Sequence, residues 1–353
     1  MELTTLLQAI APADRRAEEL AQRRWDSIAK PLGSLGRLEA AVVRIAGMRG
    51  TPQVSIRRRA LVIMCADNGV VAEGVTQTGQ EVTAAVTENF TRGATSVCAM
   101  ARVAGCDLYP VDIGVAADLG DCPGLIRHKV ARGTRNLLWE PAMTRPQAED
   151  ALCFGAQLAQ ELAGQGYELL ATGEMGIGNT TTSSAMAAVL LDRPVEEVTG
   201  RGAGLSTPGL RRKVEVIRAA IARHRPDPND PLDVLAKVGG LDIAGLTGVF
   251  LGAAAARLPV LVDGFISAVA ALAAVRLCPA AADYLLASHI SQEPAAAMLL
   301  EALGLSPFIC ADMRLGEGSG AVAAMPLLEM ALAVYREMCT FQETEIEAYQ
   351  PLK

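Results

Sequence analysis

The sequence has little aromatic content: 4% of its 353 residues are Phe, Trp or Tyr. Large rings therefore do not fill the core, which falls to Ala, Val and Leu, as in close-packed helices over a buried parallel sheet. Three histidines and eight cysteines are present, but no CxxC pair. Without that ligand spacing a cysteine-based zinc site is not supported, and without a secretory pattern in the polar stretch Met1–Arg24 neither is a disulfide framework. Long like-charge runs, tandem repeats and low-complexity linkers are also missing. The net charge of -7 disfavours nucleic-acid phosphates and anionic lipid as partners. An anionic substrate must then be held by local donors. The most apolar stretch, Ile243 to Leu277, is broken by Arg257, Pro259, Asp263 and Gly264. It reads as helix, short strand and helix in a soluble, cytoplasmic protein, with no membrane span.

What is present has two textures. Over the first fifty residues Ala17, Leu20, Ala21, Trp25 and Ile28 recur at helical spacing. The segment Lys30 to Gly36 ends that helix, and a second starts near Arg37 with Leu38, Ala41, Val42 and Ile45 as its stripe. From Arg59 short β-prone runs alternate with helical stretches: Leu61–Cys65, Leu108–Ile113, Glu168–Thr172, Pro259–Val262 and Tyr284–Ser288. This is an α/β pattern with a parallel sheet, whose ligands sit at the carboxyl ends of the strands. Arg223 to Pro231 is a turn between helices, too short for a domain boundary.

Several of the loops after these runs carry polar chemistry. Cys65-Ala66-Asp67-Asn68-Gly69-Val70 offers an Asx turn or a ligand contact. Thr172 to Thr182 contains Glu174, Gly176, Gly178 and Asn179, and Asn179 or a threonine can cap the following helix, leaving N–H groups that suit a phosphate. Its spacing is neither a Walker A loop nor a dinucleotide fingerprint. Gly200 to Leu205, with Gly202, precedes a helix bearing Arg211, Arg212 and Lys213. These cations either reinforce a phosphate site or form a solvated face. Ser288 to Glu293 holds His289 and Ser291 without a GxSxG elbow, which favours substrate contacts or capping over a nucleophile. Met313 to Gly320 places Glu317 among glycines, before the apolar run Ala321–Val334 with its expected bend at Pro326. That glutamate either caps a helix dipole or accepts a proton from a substrate nitrogen, and the residues alone leave both open.

Together these segments resemble the nicotinate-nucleotide:dimethylbenzimidazole phosphoribosyltransferases of cobalamin lower-ligand assembly. The resemblance runs almost end to end through KPLGSLGRLE (Lys30–Glu39), CADNGV (Cys65–Val70), TRGATSVC (Thr91–Cys98), GEMGIGNTT (Gly173–Thr181), KVGGLDIAGLTG (Lys237–Gly248), LVDGFIS (Leu261–Ser267), SHISQE (Ser288–Glu293) and MRLGEGSGA (Met313–Ala321). It implies a parallel Rossmann-like sheet flanked by helices in a large catalytic domain, 51–334. A small helical domain from both chain ends, 1–50 with 335–353, is implied beside it, as is a homodimer. It implies transfer of 5-phosphoribose from nicotinate mononucleotide to 5,6-dimethylbenzimidazole or a related base, with inversion at C1′ and release of nicotinate. Glycosylated nicotinate is already a good leaving group, so no cofactor or metal is expected.

The family's general base falls on Glu317 and its second carboxylate on Glu174. Gly176, Asn179, Gly202, Lys213 and Ser291 fall on the phosphoribosyl site, and Thr78, Val86 and Leu315 on the base pocket. Two positions depart from the family pattern: Asn68 stands where relatives place histidine, and Val86 where a glutamine is familiar. Losing a hydrogen-bonding amide broadens acceptor choice, so adenine or a phenol stays open. NAD as donor, or a nucleotide-binding protein without turnover, are the competing readings.

Overall fold

A computed structural model of the chain describes residues 2–349. Six parallel strands form one sheet: β1 (Arg59–Ala66), β2 (Cys106–Gly114), β3 (Ile126–Arg127), β4 (Leu169–Met175), β5 (Val260–Val262) and β6 (Leu285–Ala287). Their spatial order is β3-β2-β1-β4-β5-β6. The chain first winds outward from β1 through β2 and β3, then crosses to β4 and winds the other way. The reversal opens a crevice beyond the carboxyl ends of β1 and β4, the place where such sheets bind ligands. Five of the six strands coincide with the β-prone runs of the sequence. The sixth, β3, is two residues long and has no hydrophobic pattern of its own.

The strands read as continuous apolar runs because helices cover both faces of the sheet. Seven of the eight residues of β1 are buried. The helix Leu241–Ala255 buries every residue but its last, so it has no polar face and no amphipathic period. It packs against the helix Arg145–Gly164 at backbone distance. A methyl group on Gly248 would run into the backbone of Leu152 and Ala156. Gly248→Ala should therefore force these helices apart and cost roughly 1–3 kcal/mol, the usual penalty of overpacking. A thermal melt checks this, and an unchanged midpoint would show that the pair can part without cost.

The stretch Ile243 to Leu277 resolves into helix, strand and helix: Leu241–Ala255, β5 and Phe265–Leu277. Among the described residues no helix is long and apolar enough to cross a membrane. At the amino end the helices Arg15–Ser27 and Arg37–Arg49 form where the apolar stripes place them, and a further short helix, Leu3–Ala9, precedes them. Asp14 caps the second of them through the N–H groups of Arg16 and Ala17. Leu20 departs from its stripe and is 40% exposed. The two chain ends meet: Arg24 donates to the carbonyls of Tyr335 and Met338, and Ile28 bridges to Thr340. Half-buried Lys30 and buried Glu39 pair at 2.6 Å across the turn between the second and third helices. The last long helix, Ser319–Glu337, runs through Pro326.

Candidate active site

Beyond the carboxyl ends of β4, β5 and β6, beside the switch point, lies a cavity of about 210 Å³. Its walls come from the loops after β4, β5 and β6, from the Gly202–Ala203 turn and from the Arg314–Glu317 turn. Distant parts of the chain meet here because each follows a strand end or precedes a helix start.

Glu174 is the penultimate residue of β4 and is 8% exposed. Asn179 begins the next helix, Asn179–Leu190, but does not cap it. The cap position is Gly178, in the left-handed conformation and with no side-chain bond. The Asn179 side chain instead turns inward, because two carboxylates there need donors. Its Nδ2 donates to Glu174 Oε2 and, at 3.2 Å, to Asp242 Oδ2. Burial pushes the Glu174 carboxyl up to about 8, and neighbouring Asp242, Asp263 and Glu317 push the same way, against the Asn179 amide. Burial likewise pushes Asp242 up to about 7, opposed by Asn179 and by the Ile243 N–H.

Asp263 follows β5 and is 5% exposed. Its Oδ1 accepts the N–H of Ala321 at 3.0 Å and so braces the start of the helix Ser319–Glu337. Burial raises its pKa, and neighbouring His289, 3.8 Å away, works against that rise. Ser288 Oγ lies 2.7 Å from the Val262 carbonyl and 3.0 Å from His289 Nδ1, with no surface exposed. Its proton is committed to that carbonyl, so Ser288 holds the strand end together and is no nucleophile.

Glu317 is half-buried and lines the cavity with a left-handed backbone, φ 62°. Few non-glycine residues adopt that conformation, and it is a strained state found at functional positions. The turn is pressed against β4, where a methyl group on Gly173 would come within 2.5 Å of the Glu317 carbonyl oxygen. The carboxylate does not cap its own helix. Oε2 accepts the N–H of Val97 at 3.1 Å, at the start of the helix Ser96–Ala104. This explains why the segment Thr91–Cys98 belongs with the site.

Lys213 has no exposed surface. Its Nζ donates to Thr180 Oγ1 at 2.8 Å and to the Gly200 carbonyl at 3.2 Å. Burial pulls it down to about 8, partly offset by Glu293. It sits behind the cavity wall and ties two of its loops together. Arg211 and Arg212 on the same helix face outward, and Arg212 pairs with Glu73 at 2.5 Å. The solvated-face reading thus holds for these two arginines. The Gly202 N–H donates to Glu293 Oε1 at 3.0 Å, which pins the glycine turn to the loop carrying Ser291.

Around this one cavity the structure gathers Glu174, Gly176, Asn179, Gly202, Ser291, Leu315 and Glu317. Leu315 stands at its mouth, 53% exposed. Thr78 lines a smaller adjoining cavity of about 70 Å³ that shares Gly176, Asn179 and Thr180 with the first. Val86, on the helix Glu81–Thr91, packs on the core outside the lining of both. Asn68 is buried and reaches across the switch point, its Nδ2 3.4 Å from the Ile177 carbonyl. Asp242, Asp263 and Glu293 carry much of the local geometry, and the sequence alone assigns them no role. The available signal was a lone acid in an apolar run, directly after a strand for Asp263 and at a helix start for Asp242.

The family model described as Phosphoribosyltransferase matches residues 10–346. The nicotinate-nucleotide–dimethylbenzimidazole phosphoribosyltransferase of Acetivibrio thermocellus is 50% identical over 345 residues, 98% of each chain. Its namesake in Ruminiclostridium cellulolyticum is 49% identical over 353 residues, the full length of both. Among solved structures, CobT from Thermus thermophilus superposes with a TM-score of 0.90 at 43% identity, covering 94% of this chain and 99% of its own.

Proposed function

Since the chain belongs to this phosphoribosyltransferase family, we propose that it moves 5-phosphoribose from nicotinate mononucleotide to 5,6-dimethylbenzimidazole or a related lower-ligand base. The products are an α-ribazole-type 5′-phosphate and nicotinate. The observation that carries this reading is the pair of carboxylates, Glu174 and Glu317, facing one cavity whose far wall is built of glycine turns.

In this reading the acceptor base enters beside Leu315 and Glu317, with Thr78 shaping the approach and Val86 packed behind it on the core. One ring nitrogen attacks C1′ while the other gives its proton to the Glu317 carboxylate. The bond from C1′ to the pyridinium nitrogen breaks, and its electron pair neutralises that nitrogen as nicotinate leaves. Attack opposite the leaving group inverts C1′, and holding two planar rings on opposite faces of the ribose supplies much of the rate. Glu174, with its carboxyl near 8, is mostly the neutral acid at pH 7. It can donate a hydrogen bond to the nicotinate carboxylate, which the surrounding acids would otherwise repel. The 5′-phosphate sits on Gly176, Gly202 and Ser291, next to the start of the helix Asn179–Leu190 and in front of Lys213.

The segments 1–50 with 335–353, of which 1 and 350–353 lie outside the described residues, act in this reading as a small unit beside the catalytic 51–334, and the enzyme works as a cytoplasmic homodimer. Sedimentation of the purified protein tests the dimer.

The activity for which the relatives are named favours nicotinate mononucleotide over NAD as donor. The test offers nicotinate mononucleotide or NAD with a panel of benzimidazoles, purines and phenols, and resolves products by mass. Nicotinate release coupled to a riboside phosphate is expected. Faster nicotinamide release from NAD would overturn the donor assignment, and donor binding without product from any acceptor would remove the activity.

Lys213→Ala should raise KM for the nucleotide about tenfold with little change in kcat. It removes a buried cation and leaves the Gly200 carbonyl and Thr180 without their donor, at roughly the cost of one charge-assisted hydrogen bond. Steady-state kinetics checks this, and an unchanged KM would take Lys213 out of the phosphate site.

A further inference from the structure

Asp242 does not line the cavity, yet it lies directly beneath it. It stands at the start of the central helix Leu241–Ala255 with no exposed surface. Its Oδ1 accepts the Ile243 N–H at 3.0 Å, and its Oδ2 accepts from Asn179 Nδ2 at 3.2 Å. The same Nδ2 serves Glu174 Oε2, so both N–H bonds of one buried amide are spent on two carboxylates. Glu174 therefore has its rotamer set from below, through Asn179, by a group that cannot touch substrate.

We infer that Asp242 is a positioning residue for the transfer, holding Asn179 so that the Glu174 carboxyl keeps its orientation toward the donor's leaving group. A buried, fully bonded network of this kind fixes one arrangement, and its members titrate together. Glu174 is faced by Asp242 from the central helix, Asp263 after β5 and Glu317 before the last long helix. Asp242 is faced in addition by Asp67 after β1. The Cys65 thiol, on β1, faces this pair, and burial pushes it upward, so it stays neutral. His289 faces Asp263. The groups nearest Glu174 are thus acidic, and each keeps its proton affinity high.

The coupling can be measured on ligand-free protein, by titrating the Glu174 side-chain carboxyl carbon with NMR. In the unaltered protein its midpoint is expected near 8. In Asp242→Asn one neighbouring negative charge is gone, and the midpoint should fall by about one pH unit, a tenfold loss of proton affinity. In Asn179→Ala the amide that stabilises the charged form is gone, and the midpoint should rise. If Asp242→Asn does not fold, the rise in Asn179→Ala decides. Unchanged midpoints, or a fall in Asn179→Ala, would overturn the inference. A second arm rests on the proposed reaction: the alkaline fall of kcat/KM should begin at lower pH in Asp242→Asn. A profile merely scaled down would show that Asp242 supports the fold and positions nothing. If the unaltered protein shows no transfer, the functional reading fails while the NMR arm still decides the coupling.

Discussion

Glu317→Gln is expected to fold, to bind nicotinate mononucleotide and to lose turnover by about 10²–10⁴-fold, the usual worth of a positioned general base. The variant separates two roles the residue holds. Glu317 accepts the Val97 N–H at the start of the helix Ser96–Ala104, and glutamine can keep that bond through its amide oxygen. The cap, the left-handed turn and the packing against Gly173 then persist, while the capacity to take a proton is gone. A thermal melt beside steady-state kinetics reads both. A native melt with near-normal kcat would show that Glu317 is a cap and nothing more.

Glu174 should shape the alkaline side of the pH profile. Its carboxyl is held near 8, so it is mostly neutral at pH 7 and ionises above that value. Ionisation adds a negative charge where the nicotinate carboxylate must sit. The sign is therefore a rise in KM, and from pH 7 to pH 10 kcat/KM should fall by roughly 100-fold, tenfold per unit above the midpoint. Lys213 is also near 8 and loses its charge over the same range, which adds to the fall. Glu174→Gln distinguishes the two, because glutamine stays a neutral donor at every pH. The variant should bind the donor well at pH 7 and keep only the Lys213 share of the alkaline fall. An identical profile in the variant would remove Glu174 from donor binding.

Much of the fold could be read from residues alone because α/β alternation is a strong pattern. Five strand runs, the helix–strand–helix reading of Ile243–Leu277 and the break at Lys30–Gly36 all depend on local periodicity. What escaped depends on contacts between distant segments. β3 exists because the backbone beyond Leu125 pairs with Val111 and Asp112, and two residues leave no period to detect. Asn179 looked like a cap since Asn before a helix usually is one, but the demand of two buried carboxylates outweighed the orphan N–H groups it could have served. Lys213 shares its helix with outward-facing Arg211 and Arg212, and only the fold shows that its own position points inward.

The site was legible at a coarser level. Glu174, Gly176, Asn179, Gly202, Ser291, Leu315 and Glu317 are far apart in the chain and meet around one cavity. Their assembly follows from each being at a strand's carboxyl end or a helix start in a sheet of this order. Asp242 is legible only as an oddity: one acid at the start of a helix with fourteen buried residues signals a buried partner but does not say which.

The most direct test of the account supplies the protein with nicotinate mononucleotide and 5,6-dimethylbenzimidazole and determines the anomeric configuration of the product by NMR. An α-riboside 5′-phosphate formed in equal amount to the nicotinate released is the predicted result. A β-riboside, or nicotinate released together with free ribose 5-phosphate and no riboside, would contradict in-line transfer of the phosphoribosyl group to the base.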